Sequence, residues 1–178
     1  MDQRPIGVFD SGLGGLTAVH SLWRILPEED LIYFGDTARV PYGSRSREAI
    51  LKYARQDVRF LRSFDLKAIL IACGTVTTTS LAALQAENDL PIVGVVEPAC
   101  RRALAVSKNK RIGMIGGLPR LSSTKERIAA YQEAVADCGL PQDDLLIRYG
   151  NSMENSAQSC LDELLEQKCD ALVVAQGL

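Results

Sequence analysis

The ten residues IACGTVTTTS, Ile71 to Ser80, place a cysteine directly after an apolar run and follow it with hydroxyl side chains. A thiol at a strand exit meets backbone N–H groups of the next turn or helix, which favour the thiolate and bind carboxylates. Cys73 is therefore predicted to lie in a functional site. Neighbouring threonines are predicted to supply hydroxyl donors: Thr75, Thr77, Thr78 and Thr79. The alternative for a free cysteine is an inert core position, which Cys138 fits because it continues an apolar helical stripe.

Polar side chains also follow the other predicted strands, and in a parallel sheet ligands bind beyond the carboxyl ends of the strands. The candidates at these exits are Asp10 and Ser11 after the first strand, Asp36, Thr37, Tyr42 and Gly43 after the second, and Glu97 after the fourth. Asp10 and Asp36 equally fit a structural role as a helix N-cap or a turn former.

Several common chemistries lack the residues that they need. The turn FDSGLGG, residues 9–15, falls short of a dinucleotide fingerprint, because that motif requires glycine where Thr17 stands. His20 is the only histidine and is predicted to be a partly exposed helix residue. The sequence therefore lacks the histidines that a Ser-His-Asp triad or a histidine-rich metal site would need, and we expect no metal. A thiolate with carboxylate-binding donors still suits proton transfer at a carbon next to a carboxylate.

Short apolar runs alternate with helical periodicity along the whole chain, as in parallel strands that are each followed by a crossover helix. The predicted strands are Ile6–Phe9, Leu31–Phe34, Ala68–Ala72, Ile92–Val96, Ile112–Ile115, Leu145–Tyr149 and Ala171–Ala175. Most runs are continuous rather than alternating, so both faces of the sheet should be covered. The pattern predicts an α/β parallel-sheet sandwich.

Two predicted helices carry apolar stripes, formed by Leu16, Val19, Trp23 and Leu26 and by Ile128, Tyr131, Val135 and Cys138. The second helix is predicted to begin with the capping box Ser123 to Glu126 and to end at Gly139, with Pro141 beyond it. Four strands precede Glu97–Pro98 and a second run of strands follows. This indicates a first domain over 1–97 and a second over 98–178.

Composition excludes several classes of partner. The net charge is −2 over 178 residues and there is no long basic run, so the sequence indicates no basic surface that would bind nucleic acid or an anionic membrane. No apolar stretch reaches membrane-spanning length, and the N-terminus lacks the layout of a signal peptide. Five cysteines without C-x-x-C spacing argue against a disulfide framework or a zinc ribbon and indicate a reducing cytoplasm.

Four segments together resemble the glutamate racemases of the cofactor-independent aspartate/glutamate racemase family: FDSGLGGLTAV, YFGDTARVPYGSRS, IACGT and PIVGVVEPA. The resemblance covers residues 1 to 117 in matching order and spacing. It implies two similar α/β domains with the active site in the cleft between them, and interconversion of L- and D-glutamate for peptidoglycan. It implies no pyridoxal phosphate or other cofactor, and it leaves room for a homodimer.

In that family, two cysteines on opposite faces of the substrate remove and return the α-proton. The resemblance assigns Cys73 as the first thiol, with Asp10 beside it as a catalytic group. It assigns substrate-binding positions to Asp10, Ser11, Tyr42, Gly43, Gly74 and Thr75. At Gly74 the family usually has asparagine, whose donors are missing here.

The second cysteine is expected in a G-C-T-H segment after a late apolar strand, but Gln176, Gly177 and Leu178 follow DALVVA in this chain. We therefore expect a C-terminally truncated or divergent homologue with an incomplete second domain, which does not racemise glutamate at a useful rate. Two alternatives remain: a non-catalytic carboxylate-binding or regulatory protein on the same fold, and another one-cysteine isomerase or decarboxylase.

Overall fold

The computed structural model describes residues 2–140, 143, 146–151 and 153–174. The chain divides into two compact units, Met1–Val95 and Val96–Leu178. Each unit contains one parallel sheet flanked by helices, so the predicted parallel α/β architecture is confirmed.

The first unit alternates strands and helices in the order β1 (Ile6–Asp10), α1 (Leu16–Ile25), β2 (Leu31–Gly35), α2 (Arg47–Leu61), β3 (Ala68–Ile71), α3 (Gly74–Glu87) and β4 (Ile92–Gly94). All strand pairs are parallel, and the spatial order is β2-β1-β3-β4. The chain runs outward from β1 to β2 and then crosses over β1 to reach β3. The order thus reverses between β1 and β3, where open sheets of this class bind ligands.

The core of the first unit lies where α2 and α3 cover the sheet. Its fully buried members include Phe9, Ile50, Leu61, Ile71 and Val76. Helix α2 begins where the Ser46 hydroxyl accepts a hydrogen bond from the N–H group of Ala49 at 3.3 Å, an N-cap that satisfies one free helix donor. This packing fixes both helices against the strands whose carboxyl ends carry the polar candidate residues.

The second unit contains α4 (Val96–Val106), β5 (Ile112–Gly116), α5 (Ser122–Asp137), β6 (Ile147–Tyr149), α6 (Glu154–Glu166) and β7 (Ala171–Val174). Its sheet has the order β6-β5-β7. Helix α5 ends as the sequence predicts. Gly139 takes a left-handed φ of 68°, and its N–H group bonds to the carbonyl of Ala136 while that of Leu140 reaches the carbonyl of Val135. Pro141 lies outside the described residues.

Three local predictions are wrong. The predicted strand Ile92–Val96 ends at Gly94, and Val96 already begins helix α4, so Glu97 lies in a helical first turn rather than in a strand-exit loop. Helix α5 begins at Ser122 with Leu121 as its N-cap, so Ser123 lies inside the first turn and does not cap the helix. Cys138 is exposed, because it lies at the end of the helix, past the residues that face the sheet.

The apolar stripe on α1 is only partly covered in the first unit. Val19 is buried, whereas Trp23 is 58% exposed and Leu16 is 47% exposed. Strand β2, at the edge of the sheet, has no fully buried residue, so the expectation of two covered faces fails there. Within the described part of the chain, no helix is long and apolar enough to cross a membrane.

Candidate functional site

The candidate site lies at the carboxyl ends of β1 and β3, the adjacent strands between which the strand order reverses. Asp10 is the last residue of β1, and Cys73 follows β3 as the N-cap residue of α3. The Cys73 Sγ atom lies 3.2 Å from the Ser11 Oγ atom, and the thiol is 5% exposed. The N-terminus of a 14-residue helix presents backbone N–H groups and the positive end of the helix dipole, an arrangement that suits a bound carboxylate.

Asp10 has a structural contact of its own. Its carboxylate, which is buried, accepts a hydrogen bond of 2.8 Å from the N–H group of Gly15, the residue that precedes α1. A Cβ atom on Gly15 would approach Asp10 Cβ to 2.7 Å, so the close approach requires glycine. The glycine-rich turn therefore holds the Asp10 carboxylate at the strand exit.

Tyr33 is a neighbour of the site that the sequence reasoning missed. Its hydroxyl donates a hydrogen bond of 2.7 Å to the carbonyl of Gly12, which fixes the turn that carries Ser11. Burial raises the pKa of Tyr33 to about 12, and the nearby Asp10 and Cys73 add to this shift. The contact depends on the pairing of Val8 with Tyr33 in the sheet, which places β2 beside β1.

The threonines after Cys73 do not form the predicted cluster of donors. The Thr77 hydroxyl donates to the carbonyl of Ile71, that of Thr78 to the carbonyls of Gly74 and Thr75, and that of Thr79 to the carbonyl of Thr75. Hydroxyls inside a helix commonly bond back to the preceding turn in this way. Thr75, buried in the first turn, is the member closest in sequence to the thiol.

The exit of β2 contains a buried polar cluster, defined here as Asp36, Arg39, Tyr42 and Asp57. The Tyr42 Oη atom lies 2.5 Å from Asp36 Oδ2 and 2.8 Å from Asp57 Oδ2. The Arg39 guanidinium contacts Asp36 at 2.5 Å and Asp57 at 2.6 Å, and it stacks over the ring of Tyr53. Asp57, from α2, was not identified from the sequence.

Burial dominates the electrostatics of this cluster. It raises the pKa of Tyr42, and the hydrogen bonds to Asp36 and Asp57 raise it further. It also raises the pKa of Asp57 to about 6, although the Tyr42 hydroxyl and the Arg39 guanidinium act in the opposite direction. Arg39 is already paired with two carboxylates, so it is poorly placed to clamp a substrate carboxylate.

The remaining thiols lie in the second unit. Cys160 and Cys169 are buried beside Leu164, and burial raises the pKa of both. Cys169 precedes β7 and is therefore at the amino end of that strand, opposite to the carboxyl end where Gly116 terminates β5. Gln176, Gly177 and Leu178 lie outside the described residues. Among those that are described, no three His, Cys, Asp or Glu side chains converge as metal ligands.

Comparisons with known proteins give matches over most of the chain. A family model described as Asp/Glu/Hydantoin racemase matches residues 17–177. A glutamate racemase of Geobacter metallireducens is 44% identical over 135 residues, which are 76% of this chain and 48% of that protein. The chain thus spans about half the length of the first curated relatives that it matches.

Solved structures with this fold are also similar. Glutamate racemase from Aquifex pyrophilus superposes with a TM-score of 0.80 at 32% identity, covering 98% of this chain and 71% of that one. Glutamate racemase from Francisella tularensis, determined in complex with D-glutamate, gives a TM-score of 0.76 at 31% identity, covering 98% of this chain and 69% of that one.

Proposed function

Because the chain belongs to the Asp/Glu/Hydantoin racemase family, we propose that it supplies the first thiol of a glutamate racemase, which interconverts L- and D-glutamate for peptidoglycan synthesis. Glutamate is taken as the substrate because the relatives are glutamate racemases, one of them solved with D-glutamate. The observation that carries the proposal is the placement of Cys73 at the N-terminus of α3, within 3.2 Å of Ser11 and at the exit next to Asp10.

The chemistry is a proton transfer between carbon and sulfur. The Cys73 thiolate takes the α-proton and becomes a thiol, and the electron pair of the broken C–H bond moves onto the α-carbon and the adjacent carboxylate. N–H groups at the start of α3, from Gly74 and Thr75 onward, hold that growing negative charge. Ser11 contacts the sulfur, Asp10 is proposed as its assisting carboxylate, and Tyr42 and Gly43 form a substrate-binding turn.

The same proposal includes a cytoplasmic location and a homodimer. The cysteines of the described residues are all free thiols, which suits a reducing compartment. A second copy would cover apolar side chains that α1 exposes, among them Trp23 and Ile25. Light scattering at micromolar concentration tests the dimer, and a monomeric mass at all concentrations contradicts it.

Thr75→Val is expected to weaken glutamate binding roughly tenfold, because it removes one hydroxyl hydrogen bond from the proposed site. Binding is measured as protection of Cys73 from alkylation by iodoacetamide. Thr78→Val is the matched control: the Thr78 hydroxyl bonds to backbone carbonyls of α3, so protection should change less than about twofold.

Equal loss in both threonine variants would contradict this account of the site, since the effect would then come from the helix. Cys138 should be replaced with serine in all samples, because this exposed thiol would otherwise consume reagent. Absence of any protection in the protein that carries only this serine replacement, up to millimolar glutamate, would overturn the proposed substrate.

A further inference from the structure

The proton count of the buried polar cluster does not balance if both of its carboxyl groups are ionised. Tyr42 has a single hydroxyl proton, yet its Oη atom lies within hydrogen-bonding distance of oxygens from Asp36 and Asp57. One of these two contacts therefore lacks a proton unless a carboxyl group supplies it. An ionised carboxylate facing an oxygen lone pair at 2.8 Å would be repulsive.

The charge count leads to the same result. With both aspartates ionised, the cluster would hold two negative charges against the single positive charge of Arg39, at sites where Asp36 is 5% exposed and Asp57 is 1% exposed. A buried net charge is costly, whereas one added proton makes the cluster neutral. Gln56 and Tyr53 also contact Arg39, but neither brings a formal charge.

Burial indicates which group takes the proton. Asp57 is the most buried member of the cluster, and this burial raises the pKa of its carboxyl group. A proton on Asp57 satisfies both contacts of the Tyr42 hydroxyl oxygen. In this arrangement Asp57 donates to the Tyr42 oxygen, and Tyr42 donates to Asp36.

We propose that Asp57 is a positioning residue which, in its protonated form, completes a hydrogen-bond relay from α2 through Tyr42 to Asp36 and so fixes the turn that presents Tyr42 and Gly43. The relay is inferred from the geometry of the cluster alone. Its effect on glutamate binding by the turn rests on the proposed function. The turn is short: residues Tyr42–Ser44 form a single 3₁₀ turn that precedes α2. The buried Tyr42 side chain anchors it to the core.

The relay should respond to pH between about 4 and 7. Burial raises the pKa of Asp57 to about 6 in the folded protein from an ordinary 3.8. Over that interval the folded state binds more protons than the unfolded state, so stability from this group is complete at low pH and is lost as pH rises. The groups facing Asp57 are Tyr42, Arg39 and Asp36, which belong to the loop after β2. Loss of the proton leaves Tyr42 with one partner instead of two.

Asp57→Asn tests the relay, because the asparagine amide donates to Tyr42 and its carbonyl accepts from Arg39 at every pH. Unfolding by urea is compared for wild type and variant from pH 4.5 to 7.5. The unfolding equilibrium constant of wild type should rise roughly 25-fold relative to that of the variant across this range. Other carboxylates titrate in both proteins and cancel in the ratio. Parallel curves would overturn the proposal.

A second measurement keeps the proposal testable if Asp57→Asn does not fold. Carbon-13 NMR of the wild-type carboxyl groups should show one aspartate that titrates near pH 6, and titration of all aspartates below about pH 5 would overturn the relay.

A third measurement addresses the turn that presents Tyr42 and Gly43. Protection of Cys73 by glutamate should weaken between pH 5.5 and 7.5 more in wild type than in Asp57→Asn. A protein that shows no protection at any pH refutes the proposed function but leaves the stability result unchanged.

Discussion

Replacement of Cys73 by alanine is expected to abolish exchange of the glutamate α-hydrogen with solvent. The thiolate is the proposed base, and Cys73 is the one cysteine among the described residues of the first unit. Loss of a positioned acid/base group typically lowers the rate about 10²- to 10⁴-fold. Exchange is measured by proton NMR in heavy water with each enantiomer of glutamate.

Cys138→Ala is the matched control for that experiment. It also removes one thiol, but from an exposed position at the end of α5 in the second unit. Exchange should therefore be unchanged within about twofold, as for most surface substitutions. If Cys73→Ala exchanges as fast as wild type, the base is another group, and the proposed mechanism is wrong.

Arg39→Ala is expected to lower the free energy of unfolding by about 3 kcal/mol at pH 7.5, because it leaves two buried carboxyl groups without their cation. The guanidinium spans Asp36 and Asp57, with contacts of 2.5 and 2.6 Å. The loss should shrink at pH 5. Burial raises the pKa of Asp57 to about 6, so protonation of that carboxyl group removes part of the unpaired charge. Urea denaturation followed by circular dichroism measures both values.

Arg55→Ala, on α2, provides the comparison. Arg55 pairs with Glu87 at 2.6 Å, but both side chains are more than a third exposed. Exposed ion pairs contribute less than about 1 kcal/mol, because solvent screens them. Equal losses for Arg39→Ala and Arg55→Ala would contradict the account of the buried polar cluster.

The position of the site could be predicted from the sequence because it follows from topology. Continuous apolar runs separated by helices specify a parallel sheet, and polar residues at strand exits then converge at one edge. Ser11 and Cys73 are two such residues, and their side chains lie 3.2 Å apart. The resemblance added Gly74 and the substrate-binding roles of the other strand-exit residues.

The contacts around these residues could not be predicted, since they depend on registers that the pattern does not specify. Whether a threonine hydroxyl faces a ligand or its own helix is decided by rotamer and helical position, and Thr77, Thr78 and Thr79 all bond to backbone carbonyls.

Asp57 lies in the middle of α2, where a charged residue usually indicates a solvated face. Its burial arises from packing against the loop that carries Arg39 and Tyr42.

The measurement that most directly tests the central claim is incubation of the 178-residue polypeptide with L- and D-glutamate in heavy water, following α-deuterium and optical rotation together. Inversion requires an acid/base group on each face of the substrate, and in the second unit the described cysteines do not lie at the carboxyl ends of its strands. We predict deuterium in one enantiomer, with unchanged rotation and dependence on Cys73. Absence of deuterium from both enantiomers while glutamate protects Cys73 would contradict the claim, and inversion at enzymatic rates would show that a second base is present.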